Sequence, residues 1–243
     1  MISNIIRNFN MKEDINVGPY LEFKSSTAMT ITPNYTNTGV TLQYSLDKVT
    51  WTNISAKAVT PSASVIYFRG SATGTKSLYT SSNGSNAWIF TNATNLEVKG
   101  NITTLIQDIL GNVVVDIALG INAFAHMFYN CTALLKAPEL PSTILAKECY
   151  ISMFNGCTSL VTAPALPATT LADSCYSYMF YNCSKIKIST TKVGSYINDY
   201  RVPIVGTGIV STNSLTDMFT GTGGTFKGTP TINTTYYTEN TVV

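Results

Sequence analysis

Charge is what this chain has least of. Only 12% of its 243 residues are Asp, Glu, Lys or Arg, roughly half the usual share. The 15 basic and 13 acidic residues are scattered and leave a net charge of +2. No basic run occurs, so the electrostatic footprint of a nucleic-acid-binding protein is missing. Histidine occurs once, at His126, within Phe124-Ala125-His126-Met127-Phe128. Those neighbours supply neither a nucleophile nor an orienting carboxylate, so no His-dependent triad is expected there. Glu148 and Asp173 lie nearly one repeat apart and would sit ~5 Å apart on adjacent rungs, which alone makes no active site. We assign no catalytic residue and no cofactor.

Other absences narrow the class further. The five cysteines form no Cys-x-x-Cys knuckle, so no metal is assigned. No apolar run reaches the ~18 residues of a membrane span, and no membrane insertion is expected. The first 14 residues lack the apolar core and cleavage site of a signal peptide. A surface composition of Thr, Ser and Asn with 14 tyrosines resembles secreted or virion material more than a cytosolic enzyme, and with a native N-terminus the missing export signal leads us to expect a virion released by lysis. With 44% hydrophobic residues the chain has enough apolar matter for a core.

What is present is a repeat. Met127-Phe128-Tyr129-Asn130-Cys131-Thr132 returns as Met153-Phe154-Asn155-Gly156-Cys157-Thr158 and as Met179-Phe180-Tyr181-Asn182-Cys183-Ser184, each step 26 residues. Ala137-Pro138-Glu139-Leu140-Pro141 returns as Ala163-Pro164-Ala165-Leu166-Pro167. A fixed interval of this kind marks a solenoid whose units bury their apolar faces on one another. At about 100° per residue, Leu171, Cys175, Tyr176, Met179, Phe180 and Cys183 share one half of a wheel, which predicts a helix over 171–183. Pro164 and Pro167 predict an extended, edge-like return segment with few ladder bonds. Ile106 to Val115 would be a degenerate first unit, and Met218-Phe219 an out-of-phase last one. The cysteines fall in two columns on the inward side, Cys131, Cys157 and Cys183 beside Cys149 and Cys175, which reads as buried thiols.

The pattern Cys-Tyr-x-x-Met-Phe-x-x-Cys-Thr-x-Leu-x-x-Ala-Pro-x-Leu-Pro, carried by residues 119 to 188, resembles the bacterial surface protein 26-residue repeat, a relative of the BspA-like leucine-rich repeats. The tail from Met218-Phe219 to Tyr236-Tyr237 is similar to the ending of such proteins in gut-bacterial phages and prophages. The resemblance implies a surface-exposed, non-enzymatic module on a virion or a cell.

Before the repeat, short β-rich runs at 21–24, 29–32, 40–45, 65–69, 87–91 and 96–100 recur near every ten residues, predicting an antiparallel sandwich. Tyr44 to Thr52 reads as a hairpin whose turn Asp47 begins, with Tyr44 and Trp51 available for packing. It resembles the Asp-box of sialidases, but Val49 stands where glycine belongs and Trp51 comes one position early, so it is taken as structural. Gly70 to Ser85 reads as an exposed polar connector. Ile2, Ile5, Ile6 and Phe9 recur near helical spacing, either as a frayed terminus or as an arm that anchors on a capsid.

The expected fold is therefore mixed α+β. It comprises an N-terminal arm (1–19), an antiparallel β-sandwich-like domain (20–101), a leucine-rich-repeat-like solenoid (102–190) and an irregular C-terminal cap (191–243). Tyr129, Tyr178 and Tyr181 are predicted to project outward as a contact surface. They would either stack on sugars and fill protein pockets, or pack against the N-terminal domain or a symmetry mate. The expected partners are capsid or other virion proteins, host-surface glycans or proteins, and further copies of the chain, with no nucleic acid. The expected setting is a virion surface, as a head fibre or decoration protein, or else a secreted bacterial adhesin.

Overall fold

The computed structural model describes residues 19–110, 116–202 and 213–239. The proposed anchor residues Ile2, Ile5, Ile6 and Phe9 lie outside them. Strand β1 (Leu21–Thr32) is followed by β2 (Val40–Ser45), β3 (Thr52–Ile54), β4 (Ala63–Ala72), β5 (Ile89–Thr91) and β6 (Leu96–Lys99). All of these strands but β3 match the β-rich runs of the sequence, and the runs 21–24 and 29–32 fuse into β1 across an irregularity between Lys24 and Met29. The strands do not split into two facing sheets. They form one seven-stranded sheet in the order β3-β2-β4-β1-β6-β7, with β5 on β1. Strand β7 (Leu134–Lys136) belongs to the first repeat unit and pairs with β6 in parallel. One buried apolar cluster runs from Leu21 through the repeats to Tyr236.

Among the described residues there is no α-helix, and helical geometry is confined to two 3-10 turns, Gly84–Asn86 and Ile102–Leu105. The mixed α+β expectation is therefore corrected to an almost wholly β and turn architecture. Where the sequence predicts helices, the chain forms a ribbon of overlapping turns. In the first ribbon the N–H groups of Ala123, Ala125, Met127, Tyr129 and Cys131 donate locally, three residues back. The intervening N–H groups of Asn122, Phe124, His126, Phe128 and Asn130 donate instead to Lys147, Cys149, Ile151, Met153 and Asn155 of the next rung, at 2.7–3.1 Å. The second ribbon bonds the third in the same way, from Glu148, Tyr150, Ser152, Phe154 and Gly156 to Asp173, Cys175, Ser177, Met179 and Tyr181. The third ribbon bonds a fourth, Phe180 N–H reaching Met218 at 3.0 Å, so the out-of-phase Met218 unit is a true rung.

Every fourth residue of a ribbon takes a left-handed backbone: Asn122, His126 and Asn130; Glu148, Ser152 and Gly156; Ser174, Tyr178 and Asn182; Asn213, Asp217 and Gly221, with φ between 49° and 77°. Apart from Asn213, each of these sits third in a four-residue turn, where a type II turn requires positive φ and favours Asn or Gly. The turn period is thus four residues, and a pair of adjacent apolar residues per turn faces inward. That places one aromatic column on another. Phe90, Phe128, Phe154, Phe180 and Phe219 stack at 5.6–5.7 Å with interplanar angles of 3–14°. Phe124, Tyr150 and Tyr176 form a second column at 5.8–5.9 Å. Such pairs add about 0.5–1.5 kcal/mol each beyond the area they bury.

Among the described residues the backbone bonds between ribbons run from an N–H of one rung to a carbonyl of the next, so the two ends of the stack differ. The first ribbon is left with acceptors, which Leu78 and Trp88 meet by donating to Ala123 and Met127 at 3.0 and 2.9 Å. Residues 76–88 are therefore no exposed connector. Leu78, Tyr79 and Trp88 are buried and close the stack from its N-terminal side. The last ribbon is left with donors, and these find Gly228 O from Phe219 N–H and Thr229 Oγ1 from Asp217 N–H, both at 2.9 Å. Beside it lies a three-stranded sheet of β8 (Ile188–Ser189), β10 (Thr235–Thr238) and β9 (Asn198–Arg201). It docks through Tyr200, whose hydroxyl donates to Pro164 O at 3.2 Å, and Arg201, which donates to Leu166 O at 2.8 Å.

Candidate functional site

The ribbon holds its outward residues in fixed columns, because both the local turns and the inter-rung bonds pin the same backbone. In one column stand His126, Ser152 and Tyr178, with Ser152 buried beneath its longer neighbours, and in the next Tyr129, Asn155 and Tyr181. Tyr178 is 37% exposed and meets Tyr181 edge-to-face at 5.8 Å and 64°. This pair stands out from the third rung. Tyr129, two rungs away, pairs with His126 at 5.5 Å. Its ring also lies against Gly84 of the N-terminal cap. The three tyrosines therefore do not form one patch: Asn155 and Ser152 separate Tyr129 from the other two, and the cap half-covers it.

A polar network lies along the same face. Lys147 bridges Glu148 and Asp173 at 3.5 Å each, and Ser82 of the N-terminal cap donates to the Glu148 carboxylate. Ser174 Oγ donates to Asp173 at 3.1 Å. Glu148 and Asp173 do occupy adjacent rungs, the Glu148 N–H reaching Asp173 O at 2.9 Å. An ammonium between them compensates their charge, and the Glu148 field in turn raises Lys147 above its ordinary value. Burial holds His126 below the usual imidazole range, and the Glu148 carboxylate opposes that shift. Its Nδ1 is buried without a hydrogen-bond partner among the described residues. The arrangement provides fixed hydrogen-bonding groups and aromatic edges.

On the opposite side of the rungs the ladder is interrupted. Among the described residues β7 pairs only with β6, because Pro138 and Pro164 withhold the N–H groups a continuous ladder would use. The gap between β7 and residues 161–164 is a cavity of about 250 Å³ lined by Leu135, Ala137, Val161, Ala163 and Pro164, with Glu97 and Lys136. This agrees with the extended, ladder-poor return segment read from the prolines.

All five cysteines are free and buried, in the two columns read from the sequence. The Cys157 thiol donates to Phe128 O at 3.1 Å and that of Cys183 to Phe154 O at 3.0 Å. Burial pushes the thiols of Cys131, Cys175 and Cys183 up to about 12. They fill core space and are poor nucleophiles. Among the described residues no group of three or more His, Cys, Asp or Glu side chains could hold a metal ion, and no helix is long and apolar enough to cross a membrane.

Sequence reading missed the contribution of residues 76–88, and with it the Ser82–Glu148 contact. The signal was available in Leu78, Tyr79 and Trp88, three large apolar groups in a stretch otherwise full of Ser, Thr and Asn. The chain matches no protein-family model, no curated protein and no solved structure.

Proposed function

We propose that the chain is a non-enzymatic phage virion surface protein of the head-fibre or capsid-decoration type. It is attached through its N-terminal region and presents the stacked ribbons to host-surface glycans or proteins. The observation that supports contact by the ribbon face is the exposed Tyr178, set edge-on against the half-buried Tyr181 on a backbone that is bonded both within its turns and to the rungs on either side. Little side-chain entropy is lost when such a pair is covered, which suits a contact surface. The virion setting rests on the resemblance of the repeat and the tail. Weak individual contacts, multiplied over copies of the chain, raise residence through avidity.

Mass spectrometry of purified virions tests the setting, with peptide abundance calibrated against the major capsid protein. A symmetry-compatible copy number is expected. Absence from virions, with the protein in the host envelope fraction, would instead favour a secreted adhesin. Cell-binding assays with Tyr178→Ala and Tyr181→Ala test the face, and each is expected to reduce retention about tenfold. Unchanged retention would remove that face from the proposal.

A further inference from the structure

A second aromatic surface lies on the solvent side of the N-terminal sheet, far in sequence from the ribbons. Along β4, Ile66 and Phe68 are wholly buried, so the alternate residues Tyr67 and Arg69 face outward. Tyr67 packs edge-on against Tyr20 at 5.3 Å, and Tyr20 lies 6.1 Å from Trp51. Two cations are laid across these rings. The Arg69 guanidinium sits 4.1 Å over Trp51, and Lys48 Nζ sits 4.8 Å over Tyr67 and 5.3 Å over Tyr20.

The cations are positioned but not neutralised. Gln43 accepts from Arg69 Nε at 2.8 Å and donates to Asn53 at 2.9 Å, so a chain of amides aims the guanidinium along the sheet. Both Nη groups of Arg69 are without a hydrogen bond, and neither Arg69 nor Lys48 has an ion-pair partner among the described residues. The Tyr20 hydroxyl raises Lys48 above its ordinary value and keeps it charged. Two acids share this face: Glu22, in register with Lys99 and Tyr67, whose field also acts on Lys48, and Glu97, in register with Lys24 and Lys136.

We propose that this face, built from Trp51, Tyr20, Tyr67, Arg69, Lys48 and Asn53, is a binding site for a carboxylate-bearing saccharide. An indole held flat by a guanidinium offers a platform for the C–H face of a pyranose ring. The free fork of Arg69 matches a carboxylate in two parallel hydrogen bonds. Lys48 adds a point charge, and Asn53 adds an amide for sugar hydroxyls. A phosphodiester chain is the poorer fit, since it calls for an unbroken row of cations, and the further lysines of this face, Lys24 and Lys99, alternate with Glu22 and Glu97.

The test is affinity electrophoresis of the full chain through gels carrying polygalacturonate, neutral dextran or dextran sulfate. Retardation by polygalacturonate is expected, with none by dextran. Trp51→Ala and Arg69→Gln are each expected to weaken it about tenfold, as is Lys48→Ala, which changes only an exposed turn residue. Circular dichroism of every variant establishes that the sheet is retained. Tyr178→Ala should leave retardation unchanged, which separates this site from the ribbon face. Equal retardation by dextran, retardation by dextran sulfate alone, or retardation insensitive to both Trp51→Ala and Lys48→Ala overturns the proposal. So does tighter binding of a single-stranded oligonucleotide, which would make the face a nucleic-acid surface.

Discussion

The carboxamide of Asn130 occupies the volume that a β-carbon on Gly156 would need. The same relationship joins Asn182 to Gly221 on the other half of the stack. Asn and Gly thus alternate from rung to rung at one position, each Asn covering the bare α-carbon of the following glycine. Gly156→Ala should therefore destabilise the protein by about 2 kcal/mol or more, combining a left-handed residue with a clash. Asn130→Gly in the same chain should recover the steric part and leave only the backbone cost, about 1 kcal/mol. Urea unfolding of the four members of this cycle reads the coupling. Additive single effects would mean that Asn130 does not occupy that space.

The phenylalanine column makes a second prediction. Phe154 is wholly buried and stacks on Phe128 and Phe180 at 5.6 and 5.7 Å. Phe154→Ala should cost about 3–5 kcal/mol through lost burial and the cavity left behind. Phe154→Leu, which fills most of the volume, should cost less. Chemical denaturation checks both, and equal losses would show that the ring geometry matters more than its volume.

The thiols predict loss of stability in alkali. In the folded chain Cys131, Cys175 and Cys183 titrate at about 12 against 9.0 for a free thiol. Their contribution is fully present below pH 9, because only the unfolded chain releases protons above it. It is lost as pH rises from about 9 towards 12. Unfolding midpoints across that window should fall, and replacing Cys131 with Ala should flatten part of the fall. In the native state a disulfide reagent at pH 8 should modify none of the five thiols, and all five after denaturation.

At the acid end the informative group is Asp47. Its carboxylate accepts from the N–H groups of Thr50 and Val49 at 2.7 and 2.8 Å and from the Ser45 hydroxyl at 2.9 Å. Led by the Thr50 N–H, these bonds lower it to about 2. Its stabilising effect on the β2–β3 hairpin is present above the ordinary carboxylate value and disappears as pH falls from 3.8 to about 2. Carboxyl chemical shifts should place this midpoint near 2, and Asp47→Asn should abolish the transition. A midpoint near 4 would mean that the turn is not held by that side chain.

Sequence read the inward apolar residues of the repeats correctly and their backbone wrongly, for one reason. Leu171, Cys175, Tyr176, Met179, Phe180 and Cys183 are all buried, as the wheel required. Yet adjacent apolar pairs spaced by four residues satisfy a turn ribbon of period four as well as a helix of period 3.6. The difference was written in Asn122, Asn130, Gly156, Asn182, Asn213 and Gly221, residue types that suit positive φ and weaken a helix interior. Ser152, Glu148 and Tyr178 adopt the same backbone without that signature, which blurred the rule. The prolines were easier to read, since a missing N–H has the same consequence in any fold. The facing cations at Trp51 were out of reach, because Lys48, Arg69 and Tyr20 meet only through strand register.

The one-way bonding between rungs also bears on what the two covered ends of the stack prevent. Left uncovered, a stack with acceptors at one end and donors at the other is a head-to-tail building block, and a contact of that type grows without closing. Residues 76–88 and 228–229 act as stoppers on a potential fibre, one for each pole. Their hydrogen-bonding groups are opposite in kind, so neither could serve at the other end.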